Sequence, residues 1–206
     1  MAKIEQVFVT QIYRAALGGG GTRRRIAELD RACRMVAADD TAGRAWCRDN
    51  GYIGYTSYGS LTDLPDRLPE FADLVPLLDG HVAAFARGLQ LELGRRRLVL
   101  DNIWINMLGP GGYHTAHIHP HSVISGTLYV SVPMGAGAIR FEDPRLAMMM
   151  AAPLRRPNAR PANRTFHAVA PSPGTVLLWE SWLRHEVPAN AAHQPRISVS
   201  FNYCWD

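Results

Sequence analysis

The chain has 206 residues, 47% hydrophobic and 19% charged, with a formal net charge of +4. That size and balance suit one folded domain over residues 1–206 with its own core, and exclude a chain too polar to collapse. No run approaches the roughly 18 uninterrupted apolar residues of a membrane span, and the opening MAKIEQVFVTQIYRAAL lacks the apolar block of a secretory signal, so a soluble, cytoplasmic protein with no membrane partner is expected. The positive charge is almost all arginine, Lys3 being the only lysine. The arginine clusters at 23–25 and 95–97 are short, and with no recognisable nucleic-acid module no nucleic-acid partner is expected. Cys33, Cys47 and Cys204 are odd in number and form no CxxC pair, which predicts reduced, mostly buried thiols rather than a disulfide framework or a cysteine zinc site.

The first predicted element is a strand in QVFVTQIYRAAL, with Val7, Val9 and Ile12 among its apolar positions, broken by GGGGT. Thr22 is the expected N-cap of an amphipathic helix in which Ile26, Leu29, Cys33 and Val36 fall at helical spacing. A loop containing GYIGYTSYGSLTDLP follows. A second helical stretch then places Phe71, Leu74, Leu78, Val82 and Phe85 at three- and four-residue steps, with Pro76 and Gly80 expected to kink or split it. Residues 1–96 therefore read as a mostly helical support region. From residue 97 the pattern changes to short β-branched and aromatic runs divided by Gly and Pro: RLVLDNIWINML, SGTLYVSVP, GAIRFED, GTVLLWE and RISVSFNYCW. Strands at this spacing with no helices between them indicate an antiparallel sandwich or barrel. MMMAAPLRRPNARPANRT is the loop expected to be most mobile.

Four histidines lie in HTAHIHPH. Two residues apart on a strand, His117 and His119 project to one side roughly 7 Å apart, so two imidazoles can converge on one ion. A third ligand is available at His185, just after GTVLLWE, and two ligands on one strand with a third on a distant one is a common β-barrel solution for a metal with open positions. His114 is expected on the opposite face, and His121, after Pro120, where the chain leaves the strand. His81, His167 and His193 read as surface or satisfied structural residues. In RISVSFN, Arg196, Ser198, Ser200 and Asn202 share one strand face and Ile197, Val199, Phe201 and Tyr203 the other. An inward arginine is costly unless it meets an anion: either an acidic side chain, or the carboxylate of a bound molecule.

The ordered segments GPGGYHTAHIHP, SGTLYVSVP, GAIRFEDPR, PSPGTVLLWESWLRHEVPAN and RISVSFN resemble the 2-oxoglutarate and Fe(II)-dependent dioxygenases, over about Trp104 to Asn202. Within them the sequence is most similar to a small bacterial and phage subfamily related to prolyl hydroxylases, and SYGSLTDLP through FADLVPLL is similar to that subfamily's N-terminal half. The resemblance implies a mainly β fold with N-terminal helices, a double-stranded β-helix (jelly roll, cupin-like) over 97–206. It implies an oxidoreductase with Fe(II), 2-oxoglutarate as cosubstrate and dioxygen. His117 and His185 match the first and distal iron ligands. Arg196 matches the residue that holds the far carboxylate of 2-oxoglutarate, Ser198 completes an R-x-S pair that assists it, and Tyr129 stands where a cosubstrate-contacting tyrosine lies. The departure is His119, where the superfamily usually carries a carboxylate and the subfamily favours H-x-H-P. An imidazole there raises the site's net charge by one and removes an acceptor for an iron-bound water. Glu142 or Asp143 could supply the missing charge, although RFEDPR reads more simply as a strand end and a turn.

The implied reaction is decarboxylation of 2-oxoglutarate to succinate coupled to hydroxylation of a small-molecule or peptide substrate. Trp104, Asn106, Tyr113, Trp179 and Trp182 flank the ligands, some lining a pocket and most packing in the core. The arginine-bearing loop after residue 147 is expected as a lid, suited to an acidic or peptide substrate. Two other readings stay open: a three-histidine cupin-like dioxygenase or zinc hydrolase that ignores 2-oxoglutarate, and a non-catalytic jelly-roll binding module.

Overall fold

A computed structural model describes residues 2–206. The first half supplies helices α1 (Thr22–Asp39), α2 (Thr41–Asp49), α3 (Leu64–Arg67), α4 (Pro69–Ala72) and α5 (Val75–Gly88), with strands β1 (Ile12–Ala16) and β2 (Gly54–Thr56) between them. The second half supplies β3 (Leu98–Leu108), β4 (His114–His117), β5 (Ile124–Ser131), β6 (Ile139–Glu142), β7 (Phe166–Val169), β8 (Thr175–Glu180), β9 (His185–Val187) and β10 (Arg196–Trp205). The six-stranded sheet runs β1-β8-β5-β10-β3-β2 and the four-stranded sheet β4-β9-β6-β7, and neighbouring strands in both are antiparallel. Strands β3 to β10 divide four and four between the sheets. This is the eight-stranded jelly roll, or double-stranded β-helix, with β1 and β2 extending the larger sheet at its edges. Among the described residues no helix is long and apolar enough to cross a membrane.

The alternation along β10 decides where the core and the site lie. Ile197, Val199, Phe201 and Tyr203 join Ile103, Ile105, Leu128 and Leu178 against Leu29, Cys33, Leu74, Leu78 and Phe85 of the helices. The opposite face of the larger sheet meets the smaller sheet through a second apolar group that includes Leu108, Tyr129, Phe141, Leu177 and Trp179. Gly126 on β5 is required by packing, since a Cβ there would collide with the ring of Phe201 and with Leu178.

Several elements differ from the sequence expectations. Strand β1 starts only at Ile12, and Val7, Phe8 and Val9 are exposed, because Ile12 is the first residue that pairs with β8, opposite Trp179. Helix α1 begins at Thr22, but its N-cap is Gly21 at φ 74°, and the Thr22 hydroxyl donates back to the carbonyls of Gly18 and Gly19. The second helical stretch breaks between α4 and α5 at Asp73–Leu74, so Pro76 sits in the first turn of α5, where a missing N–H costs nothing, and Gly80 is accommodated without a break. Helix α2 and strands β2 and β7 lie in stretches that periodicity leaves as loop, while the strand expected to carry both His117 and His119 ends at His117. Cys33 and Cys47 are buried and Cys204 is half-buried, all as free thiols.

Candidate metal centre

His117 ends β4 directly opposite His185 at the start of β9, which puts the two rings side by side with centroids 4.4 Å apart. His119 lies just beyond the strand, and its backbone N–H donates to the Ser181 carbonyl at 3.0 Å. That bond, rather than strand parity, turns His119 toward the other two. Its ring stacks parallel to His185, 5° between planes at 5.1 Å, and the Nε2 atoms of the pair stand 3.3 Å apart. Two imidazole nitrogens that share one ion at about 2.1 Å each stand about 3.0 to 3.4 Å apart. One ligand atom from each of His117, His119 and His185 lies within 4.8 Å of the others, the one such group among the described residues.

The neighbours of these rings set their tautomers. His117 Nδ1 is 2.7 Å from the Thr115 carbonyl and His185 Nδ1 is 2.9 Å from the Leu183 carbonyl. A carbonyl accepts only, so Nδ1 carries the proton in both and the Nε2 lone pairs are left for a metal. Burial, reinforced by His117, pushes the His185 imidazole down to about 3 and that of His119 down to about 4, so both are neutral and basic enough only for a Lewis acid at ordinary pH. Trp179 packs edge-on against His185 at 4.7 Å, Trp104 lies tilted against His119 at 5.9 Å and Phe141 stands beside His185, so one side of the centre is aromatic while His117 and His119 stay partly exposed.

Glu142 and Asp143 do not complete the set. Glu142 is paired with Arg184 and Asp143 with Arg145, so both negative charges are committed elsewhere.

Arg196 lies on the wall of the same cavity as the three histidines and is 2% exposed. It forms no ion pair among the described residues, and its Nε has no hydrogen-bond partner there. Its guanidinium lies 5.0 Å from the ring centre of Tyr129, whose buried hydroxyl is also without a partner. Ser198 lies directly across from Tyr129 and faces the cavity. A buried cation with no acidic side chain beside it, flanked by two further hydroxyls, fits a carboxylate from outside the chain. The donor set therefore fits both halves of a metal and dicarboxylate pair.

Of the remaining candidates, Trp104, Asn106 and Trp179 line the cavity, while Tyr113 and Trp182 are exposed by about half. His121 is exposed and turns away at φ 68°. His81 is a satisfied structural residue between the Tyr13 hydroxyl and the Leu17 carbonyl. His193 is exposed, and His167 is half-buried on β7 with its Nδ1 unpartnered among the described residues. His114 departs from expectation. An irregularity in the β4–β9 pairing between His114 and His117 cancels the parity argument, and His114 lines the cavity rather than the opposite face. The one clue in the sequence was the Gly-Pro-Gly-Gly approach to β4, which favours an irregular start.

Two facing sheets that carry three convergent imidazoles and an unpaired buried arginine define a jelly-roll protein with a candidate metal centre. The sequence profile of the family described as "putative 2OG-Fe(II) oxygenase" matches residues 102–202. No curated protein matches the chain by sequence. Among solved structures, a prolyl-4-hydroxylase of Pseudomonas putida is similar over 95% of this chain and 88% of its own, at 18% identity and a TM-score of 0.59. The epimerase SnoN of nogalamycin biosynthesis, in complex with Fe3+, alpha ketoglutarate and nogalamycin RO, is similar over 95% and 79%, at 15% identity and a TM-score of 0.64. HygX of Streptomyces hygroscopicus, with nickel, 2-oxoglutarate and hygromycin B bound, is similar over 95% and 83%, at 16% identity and a TM-score of 0.62. The profile match covers just under half of the chain, and these solved structures, each under 25% identical, share its fold.

Proposed function

We propose that the protein is a 2-oxoglutarate- and Fe(II)-dependent oxygenase in which His117, His119 and His185 hold the iron and Arg196, Ser198 and Tyr129 hold the far carboxylate of 2-oxoglutarate. The observation that carries this reading is Arg196: fully buried, facing the histidines, and without an acid of its own. Iron and 2-oxoglutarate, when bound, supply the oxidative chemistry, in which dioxygen decarboxylates the cosubstrate to succinate and CO2 and oxidises the substrate.

The chain's own part is positional. The Thr115 and Leu183 carbonyls hold His117 and His185 with their Nε2 lone pairs turned inward. Arg196, itself buried, neutralises the incoming carboxylate, and the aromatic wall of Trp104, Phe141 and Trp179 shields one side of the reacting end. With three neutral imidazoles the centre is one unit more positive than a site with two histidines and a carboxylate, which favours anionic ligands at the open positions. The reading extends to a single cytoplasmic domain of the prolyl-hydroxylase-like subfamily acting on a small-molecule or peptide substrate, with the 147–165 loop over the mouth of the cavity and its arginines meeting acidic groups.

The test is anaerobic addition of Fe(II) and 2-oxoglutarate, followed by oxygen. A weak visible metal-to-ligand band and then succinate are expected, and both should disappear in Arg196→Ala. Succinate and band absent from wild type, or unchanged in Arg196→Ala, would overturn the reading in favour of a metal site that ignores 2-oxoglutarate.

A further inference from the structure

Tyr52 and His114 take no part in the machinery above, yet they meet at its cosubstrate end. Tyr52 follows α2, and its hydroxyl lies 2.5 Å from His114 Nε2 and 3.4 Å from Asn106 Oδ1. Asn106 is directly opposite Ser198 across β3 and β10 and donates to Ser200 Oγ at 3.0 Å, so this pair sits beside the Arg196–Ser198 wall rather than behind the metal ligands. Asn106 Oδ1 also accepts from the Thr56 hydroxyl at 3.0 Å, which ties the pair to β2.

The two contacts allow two proton arrangements. A phenol has one proton: in one arrangement His114 Nε2–H donates to Tyr52 and Tyr52 donates to Asn106 Oδ1, and in the other Tyr52 donates to His114 Nε2 and the neutral imidazole carries its own proton on Nδ1. Nδ1 has no protein partner among the described residues, although the ring lines the cavity. In the second arrangement His114 brings an N–H donor to a pocket whose arginine lacks a carboxylate, and one further carboxylate oxygen would match it.

We propose that His114, locked in this tautomer by Tyr52, donates its Nδ1–H to the far carboxylate of 2-oxoglutarate and so helps to select a dicarboxylic 2-oxo acid over a monocarboxylic one. The inference rests on the reading of the site as a 2-oxoglutarate oxygenase and adds two residues from different segments of the chain. Tyr52 is a positioning residue, since it acts only through His114.

The experiment compares 2-oxoglutarate with 2-oxopentanoate, which has the same carbon count and the same chelating end but no far carboxylate. Both are titrated anaerobically into Fe(II)-loaded protein, with iron affinity measured separately. His114→Phe should weaken 2-oxoglutarate about tenfold and leave 2-oxopentanoate within about twofold, while Tyr52→Phe moves the same way by about threefold and adds nothing to His114→Phe. Unchanged iron affinity and 2-oxopentanoate binding report that each variant is folded and its metal end intact. An equal loss for both acids, a loss of iron affinity, or no change in either acid would overturn the assignment. Failure of iron-loaded wild type to bind 2-oxoglutarate at all would overturn the oxygenase reading and this inference with it, and is seen before any variant is made.

Discussion

The two faces of β10 put the same strand to opposite uses. On the helix side Ile197, Val199, Phe201 and Tyr203 are fully buried among the helices, and the polar atom on that face is partnered, Tyr203 donating to Asp79 at 2.7 Å. On the cavity side Arg196 Nε, the Tyr129 hydroxyl and the neighbouring Trp179 indole N–H are buried with no partner among the described residues. A folded chain tolerates unmet donors only at a cost of order 1–3 kcal/mol each, and these three adjoin the cavity, where a ligand can meet them. The helix face holds the sheet together, and that stability lets the cavity face carry groups that destabilise it.

The largest expected effect breaks the helix face. Phe201→Ala removes a ring that lies over Gly126 and meets Tyr203 edge-on at 6.0 Å. With Gly126 offering no side chain to close the gap, the loss should be about 3–5 kcal/mol, read as a lower denaturant midpoint at unchanged slope. A loss under about 1 kcal/mol would mean that the helices are not what anchors β10.

A smaller effect tests whether polar groups stabilise when they are partnered. Asp40, between α1 and α2, accepts from the Gly43 N–H at 2.8 Å, the Tyr55 hydroxyl at 2.8 Å and the Ser60 hydroxyl at 2.5 Å. Burial opposes its charge, but the hydrogen bonds outweigh it, and its carboxyl lies below the ordinary carboxylate range. A depressed folded-state pKa gives stability that is present above the unfolded value, about 3.9, and lost as pH falls through the folded one. Asp40→Asn should therefore cost about 1–3 kcal/mol at pH 7, and the gap to wild type should narrow below about pH 4. A gap independent of pH would assign the effect to packing rather than to charge.

How much of this was legible in the sequence follows from the same distinction. The β10 alternation could be read directly because ten consecutive residues keep one period, and it gave both the helix-facing set and the cavity-facing Arg196 and Ser198. The approach of His117, His119 and His185 was legible in outcome but not in cause. The strand ends at His117, and His119 is turned inward by the Ser181 carbonyl, a bond between segments that no local pattern announces. His114 faces the cavity against its expected parity because the strand pairing is irregular, and Tyr52 carried no local signal because its partner lies 62 residues away. Strands as short as β9, three residues long, owe their extended form to their neighbours rather than to their own periodicity.

The smallest expected change in stability gives the sharpest contrast between the faces. Arg196→Met keeps the long stem against the Tyr129 ring while removing a buried charge that has no acidic partner among the described residues. Truncating a paired buried charge usually destabilises, because its partner is stranded, but here no protein carboxylate is left behind. The folded protein without ligands should be unchanged or up to about 1 kcal/mol more stable, in contrast to the loss from Phe201→Ala five residues along the same strand. Binding of 2-oxoglutarate to the iron-loaded variant should fall by at least about a hundredfold, since a charge-assisted fork to its carboxylate is lost. Melting curves with and without iron and 2-oxoglutarate separate the two effects: wild type should gain stability from the ligands and the variant should not. A variant that is several kcal/mol less stable without ligands would instead mean that Arg196 is a structural member of the sheet, and the cavity face would then follow the same rule as the helix face.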